Sequence, residues 1–374
     1  MKAGRRMRTP LIDRRDFLKA AGAGFAAALA PAAWAATLDT DAVFATAFVK
    51  RDGSYGAGIL SEAGKLLYSV PLPDRGHDVT FDPVSRRSVV FPRKPGTIAV
   101  VFDHMHHTEP LTIAAAAGRH FYGHGVFSPD GALLYATEND FDNAAGMIGV
   151  YDARGSFARI GEFPTHGVGP HELMLLDDGR TLAIANGGIE THPDFGKAKL
   201  NLATMQPSYV LIDRLNGDLL ERHRLPPDLH KLSIRHMDAD ATGTVWFSCQ
   251  YEGATIDRPP LVGRAARGKE LELLEMPERA LNSLRNYIGA MAANREAGTM
   301  AVSSPAGNSY VVFDTATGKV VSANDMTEVC GIAPDRGGFI ASSGEGTVVA
   351  AGRAPVSEPD YVWDNHMLRI RQPG

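Results

Sequence analysis

One histidine position recurs along this chain at the length of a four-stranded β-sheet. It appears in Arg75-Gly76-His77-Asp78, Tyr122-Gly123-His124-Gly125, Gly169-Pro170-His171-Glu172 and Ile234-Arg235-His236-Met237, and again near the C-terminus in Trp363-Asp364-Asn365-His366. The first three histidines are spaced by 47 residues and then 47, close to one blade of a β-propeller, about 40–50 residues. A side chain that repeats at one blade position forms a ring around the central channel. Imidazoles in such a ring point to a metal or an acidic ligand.

The rest of the chain agrees with that period. Ser128-Pro129-Asp130-Gly131, Asp177-Asp178-Gly179, Asn216-Gly217, Thr317-Gly318 and Pro334-Asp335-Arg336-Gly337 are turn signals. Short β runs lie between them, and third strands ending in Asp recur at Asp103, Asp152, Asp213 and Asp314. Helical periodicity is nearly absent, with Arg279–Arg285 the best short candidate. Blades are expected to start near residues 75, 122, 169, 234, 285, 327 and 363. The last start is followed by one obvious strand, so Ala42–Val49, Tyr55–Leu60 and Lys65–Val70 must complete that blade. The expectation is an all-β, seven-bladed β-propeller closed by N- and C-terminal strands in one blade, which leaves no open edge.

Residues 1–35 read as a twin-arginine signal peptide, and residues 36–374 as the single propeller domain. Arg14-Arg15, the apolar Ala20–Ala30 run and the small-x-small Ala33-Trp34-Ala35 carry that reading. The apolar run is too short for a membrane span, so export to the periplasm without stable membrane insertion is expected. Past residue 35 the chain keeps 31 basic and 41 acidic residues. Such a balance argues against nucleic acid and anionic lipid, and is compatible with a cationic ligand or a metal. Cys249 and Cys330 lie in different repeats. An oxidising compartment permits a bridge, but two buried free thiols is the ordinary reading.

The candidate metal ligands are His77, His124, His171, His236 and His366. Blade five offers Asn286-Tyr287 at that position and blade six Glu328-Val329-Cys330. Asp78 and Glu172 follow ring histidines directly. Histidine with carboxylate suits non-haem iron, and also zinc or copper. The alternative is that each imidazole bonds to a neighbouring blade's backbone and staples the ring. Loops between second and third strands share the rim with the ring, and the longest runs from Ala185 to about Gln206. It is expected to carry Glu190, His192 and Asp194 over the channel. Asn186, Glu190, His192, Arg235, Arg285, Glu328 and Asn365 are the candidate ligand contacts. Arg93 and Lys94, flanked by Pro92 and Pro95, read as a solvated loop, with an anion clamp over the channel as the alternative, and Asp103-His104-Met105-His106-His107 reads as a solvated turn at the periphery of the opposite face. The sequence has no Gly-rich phosphate loop, G-x-S-x-G elbow, H-E-x-x-H or C-x-x-C-H.

Several stretches carry a resemblance. Gly123-His124-Gly125-Val126-Phe127-Ser128-Pro129-Asp130-Gly131, Thr137-Glu138-Asn139-Asp140, Gly169-Pro170-His171-Glu172-Leu173, Ala185-Asn186-Gly187-Gly188-Ile189-Glu190-Thr191-His192-Pro193, Lys199-Leu200-Asn201-Leu202 and Trp363-Asp364-Asn365-His366 together resemble a family of twin-arginine-exported proteobacterial propellers catalogued as a domain of unknown function. That family often accompanies imelysin-type iron-regulated proteins. The resemblance covers nearly all of the mature chain. It implies the seven-bladed fold and, loosely, periplasmic iron-uptake partners. Gly169-Pro170-His171 followed by Asp177-Asp178-Gly179 is also similar to blade starts of lactonase-type propellers. That likeness implies His171 as base, Arg235 as carboxylate anchor and Glu138 as acid.

The function expected is binding of a metal or small metal-containing ligand at a histidine-lined channel mouth, by a monomer, in iron uptake or redox. Lactone hydrolysis and a protein-docking platform are the alternatives.

Overall fold

The computed structural model describes residues 42–371; the twin-arginine segment lies outside the described residues. The chain forms seven four-stranded antiparallel sheets. Their innermost strands are Gly76–Phe81, Arg119–Phe127, Pro170–Leu175, Leu232–Ala239, Ala290–Asn294, Val329–Asp335 and Tyr361–Arg369, in blades one to seven. In blade seven the innermost strand pairs with Ala42–Lys50, followed by Tyr55–Ser61 and Leu66–Leu72. Both chain ends therefore close the ring in one sheet. Phe48 meets Tyr361 and Trp363 edge-on at 4.8 and 5.9 Å, and the Thr46 hydroxyl donates to the His366 carbonyl at 2.6 Å.

Hydrophobic patterning explains the radial order. Second strands such as Thr181–Asn186 and Ser88–Pro92 are buried along their whole length, because blades pack on both of their faces. Outermost strands alternate. Ala158–Pro164, Leu219–Arg224 and Val320–Asp325 turn every other residue to solvent, the period of a half-buried strand. Among the described residues, the regular helix is one turn and a half at Glu278–Ser283, with 3-10 turns at Pro193–Phe195 and Pro227–Leu229. No helix among them is long and apolar enough to cross a membrane. Cys249 and Cys330 are buried free thiols.

One blade start moves. The innermost strand of blade five begins at Ala290, five residues past the expected 285. Arg285 and Asn286 both take positive φ, 47° and 59°, and turn the chain between the helix and the strand. Asn286 is thereby carried away from the channel, where its side chain donates to the Asp257 carbonyl. Tyr287 instead bridges to Gln250 of blade four.

Candidate metal centre

The innermost strands share one irregularity. In blades one, two, three, four, six and seven the register against the second strand slips by a residue or more. The slips span Gly76/Val79, Phe121/Gly125, Pro170/Glu172, Ile234/Met237, Val329/Ile332 and Trp363/Met367. Blade five pairs without a break. Each ring histidine lies inside one of these β-bulges, which re-aim a side chain out of the strict two-residue alternation. A hydroxyl on the second strand answers the backbone groups that a bulge frees. Thr137 bonds to the His124 N–H and carbonyl, Ser248 to the His236 carbonyl, Ser342 to Gly331, and Thr46 to the His366 carbonyl. Nothing in a periodicity argument marks these hydroxyls, although Thr46, Thr137, Ser248 and Ser342 stand at equivalent blade positions.

The five imidazoles converge. His77 lies 4.9 Å from His124 and 4.6 Å from His366 between ring centroids, and His236 lies 4.7 Å from both His171 and His366. Two triads, His77–His124–His171 and His124–His236–His366, bring ligand atoms within 4.8 Å of one another, with His124 common to both. An ion bonded at about 2.1 Å holds its donors no more than about 4.2 Å apart, so the triads stand near the reach of a single ion.

Three of the imidazoles meet a carboxylate of the neighbouring blade. Asp78 of blade one meets His124 Nδ1 of blade two at 3.2 Å, and Glu172 of blade three meets His236 Nδ1 of blade four at 3.0 Å. Asp364 of blade seven lies 3.7 Å from His77 Nδ1 of blade one. In two blades the carboxylate directly after a ring histidine thus orients the imidazole of the next blade. The Nε2 atoms of His124, His171 and His366 are buried with no hydrogen-bond partner. This is the outer-shell pattern that fixes a metal-binding histidine. The stapling alternative, imidazole to neighbouring backbone, is not what these rings do: the inter-blade bonds of His124 and His236 run to carboxylates, and that of His171 to the Arg235 guanidinium.

Burial disfavours the charged form of four of the five ring imidazoles. Burial drives His77 down to about 4, against the upward pull of Asp364. Burial, and then repulsion from the other imidazoles and Arg235 or Arg93, puts His171, His236 and His366 well below the ordinary value. Burial would raise Asp364, but His77, Arg93 and Arg75 hold it well below the usual carboxylate range. Glu172 goes the other way, raised well above its ordinary value by burial, then by Asp78 and Asp238.

A chamber opens on each side of the ring. The upper one, about 670 Å³, is lined by His77, His171 and His236 together with Arg93, Lys94 and Arg235. The lower one, about 460 Å³, includes His366 and the carboxylates Asp78, Glu172 and Asp238. The acidic balance of the whole chain therefore does not describe the mouth, which is cationic. Arg93 and Lys94 are no solvated loop. Arg93 pairs with Asp364 at 3.0 Å, and the Lys94 ammonium sits 4.8 Å over the Tyr122 ring. Burial, then Arg235 and Lys199, lowers Lys94 well below its ordinary value.

The other candidate contacts divide. Arg235 and Asn365 line the upper chamber. Asn186 is fully buried between strands, donating to the Thr165 carbonyl and to Ser208. Arg285 and Glu328 are exposed, outside both chamber linings. The long loop does roof the mouth, but through Ile189, Thr191, Lys197 and Lys199. Glu190 has its backbone N–H bonded to Asn201, and the half-buried His192 caps the Pro193–Phe195 turn beside Phe141. Glu138 is fully buried, bonded to the Tyr151 hydroxyl at 2.5 Å and to Arg159 at 2.7 Å. Its neighbour Thr137 faces the ring, so strand alternation turns Glu138 away toward the outer strands. An acid role for Glu138 in the channel does not fit that placement. Tyr122 and Lys199 are mouth residues to which sequence reasoning gave no role.

The family described as "Protein of unknown function (DUF1513)" matches residues 70–370. No curated protein matches. Among solved structures, a chain of Kuenenia stuttgartiensis Hydrazine Synthase is similar at 14% identity with a TM-score of 0.60, over 81% of this chain and 94% of that one. At that identity the likeness shows the fold alone.

Proposed function

The chain belongs to the DUF1513 family, and on that footing we propose that it is a metal-binding propeller whose five-histidine ring holds a transition-metal ion. The observation that carries this is the convergence of five imidazoles, in which the Nε2 atoms of His124, His171 and His366 are buried and unpartnered and the rings of His124 and His236 are fixed by carboxylates on the neighbouring blade. Neutral imidazoles are the form that ligates a metal, and burial favours that form at His77, His171, His236 and His366. A cation at the ring would also ease the repulsion that Asp78 and Asp238 exert on Glu172. Imidazole suits iron, copper and zinc. Iron is the metal that the family's imelysin association favours, and the twin-arginine segment favours a periplasmic role in iron uptake or redox.

Metal analysis of protein purified from the periplasm tests this, followed by titration of the metal-free protein with Fe(II), Cu(II) and Zn(II). The expected result is near one equivalent bound in native protein, with loss of binding in His124→Ala, which removes the ligand both triads share. Native protein without metal, and an affinity unchanged in that variant, would overturn the proposal.

A further inference from the structure

The upper chamber carries more positive charge than its own carboxylates answer. Arg75 and Arg93 share Asp364, while Lys199 and Arg235 share Glu252. Among the described residues Lys94 and Lys197 form no ion pair, and both line the chamber. The Nε atoms of Arg93 and Arg235 are buried without a hydrogen-bond partner. Unpaired buried donors and charge of one sign are costly unless something of opposite charge sits among them. The walls are not wholly polar: Tyr122, Tyr287 and Ile189 contribute aromatic and aliphatic surface. Tyr122 is itself fixed, bonded to Thr191 at 2.9 Å and to the Ile189 carbonyl at 3.3 Å of the roofing loop.

We infer that this chamber binds a small multivalent carboxylate anion, a di- or tricarboxylate with a carbon skeleton, seated directly over the histidine ring. A bare inorganic ion would leave the tyrosine walls uncovered and most of about 670 Å³ unfilled. A carbon skeleton covers those walls while its carboxylates meet Lys94, Lys197 and the free edges of Arg93 and Arg235. His77, His171 and His236 line the same chamber, so the bound anion reaches whatever the ring holds. That last step rests on the metal-binding reading; recognition of the anion does not.

Calorimetric titration of the metal-free protein with citrate, against acetate and inorganic phosphate, tests the inference. Citrate is expected to bind at least about tenfold tighter than either, and to weaken as salt is raised. Lys94→Met should lower citrate affinity at least about tenfold, and Lys197→Gln by a smaller factor. Methionine keeps the stem over Tyr122, and Lys197 is exposed, so thermal melts of both variants should match the parent. Citrate no tighter than acetate, phosphate as tight as citrate, or unchanged affinity in a folded Lys94→Met protein would each overturn the inference. Cobalt(II) titration of the same proteins separates the two readings. Citrate lost with cobalt retained in Lys94→Met locates the anion at the mouth. Citrate bound by a chain that takes no metal overturns the ring reading and leaves the anion site standing.

Discussion

Two parts of this molecule are rich in histidine, and they behave in opposite ways. The turn Asp103-His104-Met105-His106-His107 packs three imidazoles into five residues, yet each goes to a different place. His106 bonds to Asp103 at 2.8 Å, His104 is buried beside Phe81, and His107 packs edge-on against Tyr68. The ring histidines are 47 or more residues apart and come within 4.6–5.8 Å of one another. Neighbours on a tight turn point apart because the backbone reverses between them. Residues a blade apart point together because the fold repeats around an axis. Density along the chain is thus a poor guide to where imidazoles converge, and blade register a good one.

Four experiments press on that contrast. The largest effect should come from His77→Ala/His124→Ala/His171→Ala, which is expected to lower metal affinity by a factor of at least about a thousand, while His106→Ala/His107→Ala leaves it unchanged. Competition against a chromophoric chelator reads both, and an affinity that follows the turn instead of the ring breaks the comparison. Next come the carboxylates behind the imidazoles. Asp78→Asn or Glu172→Gln should cost about 10–100-fold in metal affinity, measured in the same competition; no change would show that blade-to-blade orientation is immaterial.

The third test uses pH. His104 of the turn and His120 are both lowered to about 4 by burial, as is His77 of the ring. Because the folded value lies below the unfolded one, the unfolded chain binds more protons between about pH 4 and 6.5. The stability these groups contribute is full above pH 6.5 and is lost as pH falls toward 4. Glu172, raised in the fold, opposes this with the reverse sign. Urea melts of metal-free protein should therefore weaken by a few kcal/mol over that interval. His104→Gln should remove up to one proton from the slope without touching metal affinity, and a slope unaltered by it would contradict burial as the cause. The smallest effect is expected at the bulges. Thr137→Ala leaves the His124 backbone groups unanswered and should cost about 1–3 kcal/mol in a denaturant melt. A neutral result would mean that another group replaces the hydroxyl.

Much of the architecture was legible in the sequence. Six of seven blade starts follow from the turn signals and the terminal Asp of third strands, and closure by Ala42–Lys50 follows from the strand missing around His366. Blade five was misjudged because a short helix and two residues of positive φ occupy the stretch where the pattern placed a strand. At the site, Arg235 and Asn365 were found through their histidine neighbours. Lys94 was misread because a lysine between prolines looks solvated, and only the tyrosine of blade two, fitted beneath it, makes it a chamber wall. Glu138 was misassigned because a likeness of blade starts does not say which face of its strand it occupies.

The sequence by itself determined the number of blades, how they close, and that five histidines share one blade level. Those follow from spacing, and spacing is written in the chain. The tertiary structure decided that the imidazoles face inward, that carboxylates of one blade hold the rings of the next, and that the mouth is cationic while the chain is acidic. Side-chain direction in a strand alternates with every residue, so a single inserted residue reverses it. Four of the seven innermost strands gain one residue against their partners and two gain two.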